Sequence, residues 1–193
     1  MRQVGVLALQ GDFAAHGKVL DALGVSWQLV KTPTELARVH GLIIPGGEST
    51  TLLKLMAPIA MRPALEQFHA AGHPLFGTCA GLILLAKETR RPHQDSLGFI
   101  DIVAERNAYG RQIDSFIELG TPLVEALGPG VFEMVFIRAP KIVTMGPGVT
   151  PLATCKDEVV LARQEHVLVS SFHPELTQAY RVHQYFLEMI RSA

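Results

Sequence analysis

The sequence predicts an α/β protein of three layers, an open, mixed but mainly parallel sheet flanked by helices. Two observations carry that prediction. In the first half, short apolar runs alternate with segments of helical spacing, at the intervals of parallel strands joined by crossover helices. In the second half, strand-like runs follow one another with few helices between them, which fits a mixed sheet with some antiparallel strands. No linker or low-complexity segment divides the 193 residues, so residues 1–193 are read as one domain with enough length to bury a substantial core.

Taken in order, residues 4–9 are apolar almost throughout, as in a strand buried on both faces. Gln10-Gly11-Asp12 then turns into helical spacing over 13–23, closed by Gly24 as a C-cap. Residues 25–30 make a second strand, Thr32-Pro33-Thr34 opens a short helix around 35–39, and 41–44 make a third strand. Pro45-Gly46-Gly47-Glu48-Ser49-Thr50 is a glycine-rich turn into a helical stretch over 51–56, and a further helix over 63–71 ends at Gly72. The strand at Pro74-Leu75-Phe76 runs directly into Gly77-Thr78-Cys79-Ala80-Gly81 and a helix-forming run. Beyond it, 99–103, 131–137, 142–145, 159–163 and 167–172 read as strands, punctuated by Gly128-Pro129-Gly130 and Gly146-Pro147-Gly148. Residues 176–190 form the terminal helix.

Composition excludes several classes. A hydrophobic content of 48% with 18% charged residues fits a compact protein rather than a disordered one. The formal net charge of -1 gives no sign of a nucleic-acid or anionic-membrane partner. No apolar run approaches the length of a membrane span, and the N-terminus lacks the pattern of a signal peptide. Cys79 and Cys155 are therefore read as cytosolic thiols, Cys155 as structural, and the expected location is cytoplasmic. Eight histidines invite a metal, but no His/Cys/Asp cluster has ligand spacing, and neither a metal nor a cofactor is expected. His16, on the first helix, is assigned no chemistry.

The chemistry gathers at three stretches. Cys79 sits at a strand-to-helix corner with glycine on both sides, the logic of the Gly-X-Ser-X-Gly nucleophile elbow with sulfur for oxygen. A thiol there sees the positive end of the helix dipole, which favours the reactive thiolate; the plainer alternative is a small buried residue. Ser170-Ser171-Phe172-His173-Pro174-Glu175 offers a base: Pro174 favours an extended His173, which puts Glu175 on the same face, able to fix the imidazole tautomer. A turn histidine beside a helix-start acid is the structural alternative. In the Gly46-Gly47 loop, backbone N–H groups can face developing negative charge, so the Gly47 and Ala80 N–H groups are the oxyanion-hole candidates. A phosphate loop lacks its lysine here, and a tight turn with Ser49 or Thr50 as N-cap is the structural reading. Gln10, Gly46-Gly47 and Cys79 all follow strands of a parallel sheet, which places them at one crevice. Arg106 and Arg138 are candidates to grip the carboxylate of a small polar substrate, or surface arginines like most others.

Together, Gly77-Thr78-Cys79-Ala80-Gly81 and His173-Pro174-Glu175 resemble the class I (triad) glutamine amidotransferases. Residues 8–13, 46–51, 106–112 and 136–140 narrow the resemblance to the family of glutaminase subunits of pyridoxal 5′-phosphate synthase. The resemblance implies a flavodoxin-like sheet and hydrolysis of L-glutamine to glutamate and ammonia by a Cys79-His173-Glu175 triad. It further implies that Gly47, Glu48, Ser49, Arg106, Ile137 and Arg138 bind glutamine and that Gln10 helps shape the oxyanion hole. The implied partner is a separate synthase subunit, in a large hetero-oligomer, that uses the ammonia to make pyridoxal phosphate (vitamin B6). Two other classes remain open at this point: a self-sufficient γ-glutamyl hydrolase or peptidase, and a non-catalytic protein whose cysteine senses oxidants.

Overall fold

A computed structural model describes residues 2–106, 108 and 115–193. The first half folds as the alternation of apolar and helical segments dictates. Strands β1 (Val4–Leu7), β2 (Trp27–Val30), β3 (Gly41–Ile44) and β4 (Leu75–Thr78) are joined by helices α1 (Phe13–Ala22), α2 (Pro33–Leu36), α3 (Ser49–Met56) and α4 (Met61–Ala70). Helix α5 (Ala80–Leu85) follows β4 directly. The local signals act as their chemistry requires. Asp12 caps α1 by accepting from the Ala15 N–H, and Thr32 with Glu35 forms a capping box on α2.

The second half contains β5 (Ala86–Arg90), β6 (Ile100–Glu105), β7 (Ser115–Pro122), β8 (Phe132–Ile137), β9 (Lys141–Met145), β10 (Thr150–Cys155), β11 (Glu158–Gln164), β12 (Val167–Ser170) and the terminal helix α6 (Arg181–Ser192). Three of these, β5, β7 and β10, are strands that the sequence pattern does not mark. β5 begins where the helix-forming run after Cys79 ends, and half of β7 presents exposed positions with no apolar run to betray it. The terminal helix starts at Arg181 rather than 176, because Pro174–Leu176 form a 3-10 turn instead.

Among the described residues, one sheet runs in the order β2-β1-β3-β4-β12-β11-β10-β7-β8, and a smaller one in the order β5-β6-β9. The strands from β2 to β12 pair in parallel, and those from β12 to β8 pair antiparallel. Side chains alternate across the parallel strands with the period of two that a pleated strand imposes. Leu42, Ile44, Leu75, Val167 and Val169 face one core with Leu52, Met56, Leu65 and Leu82 of α3, α4 and α5. Ile43, Phe76 and Leu168 face the other, with Leu20 of α1 and Val182, Phe186 and Ile190 of α6. Helices therefore cover both faces. That same second core takes in Phe132, Met134 and Phe136 of β8 together with Phe172. The antiparallel half thus curls back over the sheet, and the His173 N–H donates to the Val135 carbonyl at 2.8 Å. No helix of the described residues is long and apolar enough to cross a membrane. Asn107, Tyr109, Gly110, Arg111 and Gln112 of the motif beginning at Arg106 lie outside the described residues.

Candidate active site

Because β1, β3, β4 and β12 are parallel, the segments leaving their carboxyl ends meet at one edge of the sheet. Gln10, Gly46, Cys79 and His173 arrive there from four different strands and line one cleft of about 310 Å³. Gly47, Glu48, Ser49, Arg106, Ile137 and Arg138 line it too, alongside Asp12, Ile83 and Leu176, which the sequence did not single out.

Cys79 occupies the bend between β4 and α5 with φ 49 and ψ −100, a strained conformation for a residue with a side chain. Such a backbone costs about 1–3 kcal/mol and persists only where its surroundings impose it. Here the Cys79 N–H donates to the Ser170 carbonyl at 2.8 Å, tying the bend to the end of β12. The flanking glycines are there for close approach. A Cβ on Gly77 would lie 2.6 Å from the Gly81 backbone, and one on Gly81 would lie 2.2 Å from the Ile44 carbonyl oxygen. Backbone atoms cannot step aside as a flexible side chain can. Gly81→Ala is therefore expected to destabilise the protein by about 2–3 kcal/mol. It should read as a lower urea midpoint at unchanged slope; an unmoved midpoint would mean that α5 does not pack this closely against β3.

His173 shares the cleft with Cys79, whose side chain acts on its charge, and its Nδ1 lies 2.7 Å from the Glu175 Oε1. The expected route to that pairing was an extended chain. Instead Glu175 lies in the 3-10 turn at Pro174–Leu176, which folds its carboxylate back onto the imidazole. Burial lowers the His173 imidazolium, but the hydrogen bonds to Cys79 and Glu175 outweigh it and raise the group to about 10. Burial likewise raises the Glu175 carboxyl, and the neighbouring His16 and the bond from His173 overcome it, bringing the group to about 2. The Cys79 sulfur also lies 3.8 Å from the Ile137 carbonyl oxygen at the end of β8. A Cβ on Gly46 would fall 2.4 Å from the His173 ring, so glycine there admits the imidazole to its place.

The glycine-rich loop differs in detail from its sequence reading. The N-cap of α3 is Glu48, not Ser49 or Thr50: its carboxylate accepts from the Thr51 N–H at 2.9 Å and from the Thr50 and Thr51 hydroxyls. The Thr50 hydroxyl bond is the main influence that brings the Glu48 carboxyl down to about 2. Ser49 is buried and donates to the Gln94 Oε1 at 2.8 Å, a partner from the segment after β5 that no pattern announced. The Gln10 Oε1 accepts the Glu48 N–H at 2.8 Å and so pins the loop. Arg106 Nη2 stands 3.9 Å from the Glu48 Oε1, where the two opposite charges bracket the mouth of the cleft. Ala80, the other oxyanion-hole candidate, is buried at the first position of α5, next to Cys79. Cys155 is buried and unpaired, far along the chain on β10.

Residues 6–192 match the SNO glutamine amidotransferase family. The chain is 52% identical to the pyridoxal 5′-phosphate synthase subunit PdxT of Thermosipho africanus (strain TCF52B), covering 98% of this chain and 99% of that one. It is also 52% identical to the subunit of the same name from Pseudothermotoga lettingae, covering 96% of this chain and 94% of the other. A crystal structure described as a glutamine amidotransferase superposes with a TM-score of 0.90 at 47% identity, over 97% of this chain and 98% of that one.

Proposed function

The chain belongs to the SNO glutamine amidotransferase family, and from that premise we propose how its residues hydrolyse L-glutamine to L-glutamate and ammonia for pyridoxal 5′-phosphate synthesis. The observation that carries the reading is a cysteine at a strained elbow, sharing one cleft with a histidine whose Nδ1 is held by a buried carboxylate. An oxidant-sensing cysteine has no use for such a histidine–glutamate pair. We read residues 1–193 as one glutaminase domain.

Glutamine lies in the cleft with its α-carboxylate and α-amino group against the charges of Arg106, Arg138 and Glu48, and its side chain along Ile137 toward Cys79. Having taken the Cys79 proton, His173 holds it near neutral pH as an imidazolium beside the thiolate, which attacks the side-chain amide carbon. The Gly47 and Ala80 N–H groups stabilise the tetrahedral oxyanion, Gln10 fixing the loop that carries the first. As the C–N bond breaks, protonated His173 gives its proton to the leaving nitrogen, which departs as ammonia. Water, deprotonated by the same histidine, then opens the γ-glutamyl thioester and returns the thiol. Mass spectrometry after treatment with a glutamine-analogue electrophile tests the scheme. A γ-glutamyl-type adduct is expected on Cys79 alone, and an adduct on Cys155 instead would reject it.

The relatives are named as subunits of pyridoxal 5′-phosphate synthase, and we propose a synthase subunit as the partner that consumes the ammonia. Ammonia released into water near neutral pH becomes ammonium and loses its nucleophilicity, so a hand-off is chemically required. An enzyme whose product is wasted without its partner gains from being slow alone. Turnover of glutamine is expected to rise by about tenfold or more when the synthase subunit is added. Equal turnover with and without it would disprove the coupling and favour a self-sufficient hydrolase.

A further inference from the structure

The polar chain that begins at His173 does not end at Glu175. Two histidines that line no part of the cleft are wholly buried beside it, His16 on α1 and His183 on α6. His16 Nδ1 lies 2.9 Å from His183 Nε2. The other nitrogen of His16, Nε2, lies 3.3 Å from the Thr78 hydroxyl and 3.5 Å from the Glu175 Oε1. Thr78 is the residue before the cysteine, and this same Oε1 accepts from His173. His16 thus stands between the end of β4 and the turn after β12, the two places from which the nucleophile and its base emerge.

The direction of these bonds follows from one atom. His183 Nδ1 is buried without a hydrogen-bond partner among the described residues. An orphaned N–H is rarer and more costly than an orphaned acceptor, so Nδ1 carries the lone pair and Nε2 the proton. His183 therefore donates to His16 Nδ1, and the single proton of a neutral His16 must sit on Nε2, facing Thr78 and Glu175. Both rings are neutral: burial above all lowers His16 and takes His183 down to about 3. The second carboxylate oxygen of Glu175 is buried and has no partner among the described residues, so what surrounds Oε1 alone sets the rotation of the carboxylate.

We propose that His16 is a positioning residue of the triad, its Nε2–H fixed by His183 and bridging Thr78 and the Glu175 oxygen that orients His173. The role accounts for two polar rings within an otherwise apolar core, where each must be hydrogen-bonded to be tolerated. It also divides the labour at Oε1. One N–H comes from the base that moves protons, the other from a ring that never leaves its place.

The inference rests on the glutaminase reading for its kinetic arm only. The first arm is nitrogen-15 NMR of the full, histidine-labelled chain, which separates the two neutral tautomers directly. The expected spectrum has His16 protonated at Nε2; a proton on Nδ1 overturns the proposal. The second arm compares His16→Gln, whose amide reaches the position of Nε2, with His16→Asn, whose amide can accept from His183 but stops short of Glu175. With the synthase subunit present, His16→Asn should lower kcat by about tenfold at unchanged KM, less than loss of an orienting carboxylate itself costs. His16→Gln should stay within about threefold of the wild type, since its amide restores the donor. Equal losses in the two variants, or none in His16→Asn, would overturn the proposal. Should neither variant fold, the tautomer decides. A wild type that makes no glutamate would refute the glutaminase reading, while the proton position found by NMR would still decide the role of His16.

Discussion

Cys79→Ala is expected to lower glutamine turnover by about four orders of magnitude or more, with the fold intact. Removing a covalent nucleophile from an acyl-transfer site leaves only what the oxyanion donors and substrate binding supply. In this chain those remain: the Gly47 loop is pinned by Gln10, and Arg106, Ile137 and Arg138 line the cleft from elements other than the elbow, the Ile137 carbonyl losing only its 3.8 Å contact with the sulfur. Alanine keeps the strained backbone at φ 49 and surrenders one small atom. Glutamine should therefore still bind, and the melting temperature should move by no more than a few degrees. The measurement is glutamate release in the presence of the synthase subunit, with calorimetry of glutamine binding alongside. A variant that retained even a hundredth of wild-type turnover would remove Cys79 from the chemistry.

Glu175→Gln is expected to cost about three to four orders of magnitude in kcat, because the amide can present N–H to His173 and invite the wrong tautomer. Its signature in stability is as specific as its effect on rate. The His173 group, raised to about 10 from 6.5, contributes stability that is full below pH 6.5 and fades as pH rises through 10. The Glu175 group, lowered to about 2 from 4.5, contributes stability present above pH 4.5 and lost as pH falls through 2. The gap in thermal midpoint between wild type and Glu175→Gln should accordingly be widest between pH 4.5 and 6.5. It should narrow in both directions. A gap that stays constant from pH 3 to pH 9 would mean that no charged pair forms there.

The parallel half of this protein was legible because β1, β3 and β4 are buried on both faces and α1 and α2 carry conventional caps. Apolar runs at 4–9, 41–44 and 74–76 are hard to read otherwise, and the glycines around Cys79 mark a corner that only a close backbone approach explains. The antiparallel half was less legible for an equally physical reason. β7 carries exposed Ile117 and Leu119 beside Glu118, and β10 begins at a turn-like Thr150-Pro151, so neither shows a pattern that identifies it. Sequence order also says nothing of the curl that brings β8 from the far edge of the sheet to the His173 backbone.

Within the site, residues that stand inside a motif could be named in advance, Glu175 and Gln10 among them, while supports outside every motif could not. Gln94 supports Ser49 from a segment without regular pattern, and nothing short of the fold could have paired them. His16 and His183 did leave a trace. Each is a polar residue on the apolar face of its helix, between neighbours such as Val19 and Leu20 or Val182 and Phe186 that belong to the core. Read that way, a histidine amid a hydrophobic stripe asks for a partner, and here each ring is the other's, with the Glu175 carboxylate 3.5 Å from His16.

One strand, β8, holds the His173 backbone through the Val135 carbonyl and, two residues on, sets the Ile137 carbonyl against the Cys79 sulfur. On the proposed binding mode, the wall that gauges the length of an incoming side chain and the peg that steadies the proton carrier are therefore one piece of β8. An amino acid one methylene too short, asparagine above all, would leave that wall unloaded and its amide carbon out of the sulfur's reach. With glutamine bound in the proposed way, selectivity and reactivity are geared together there.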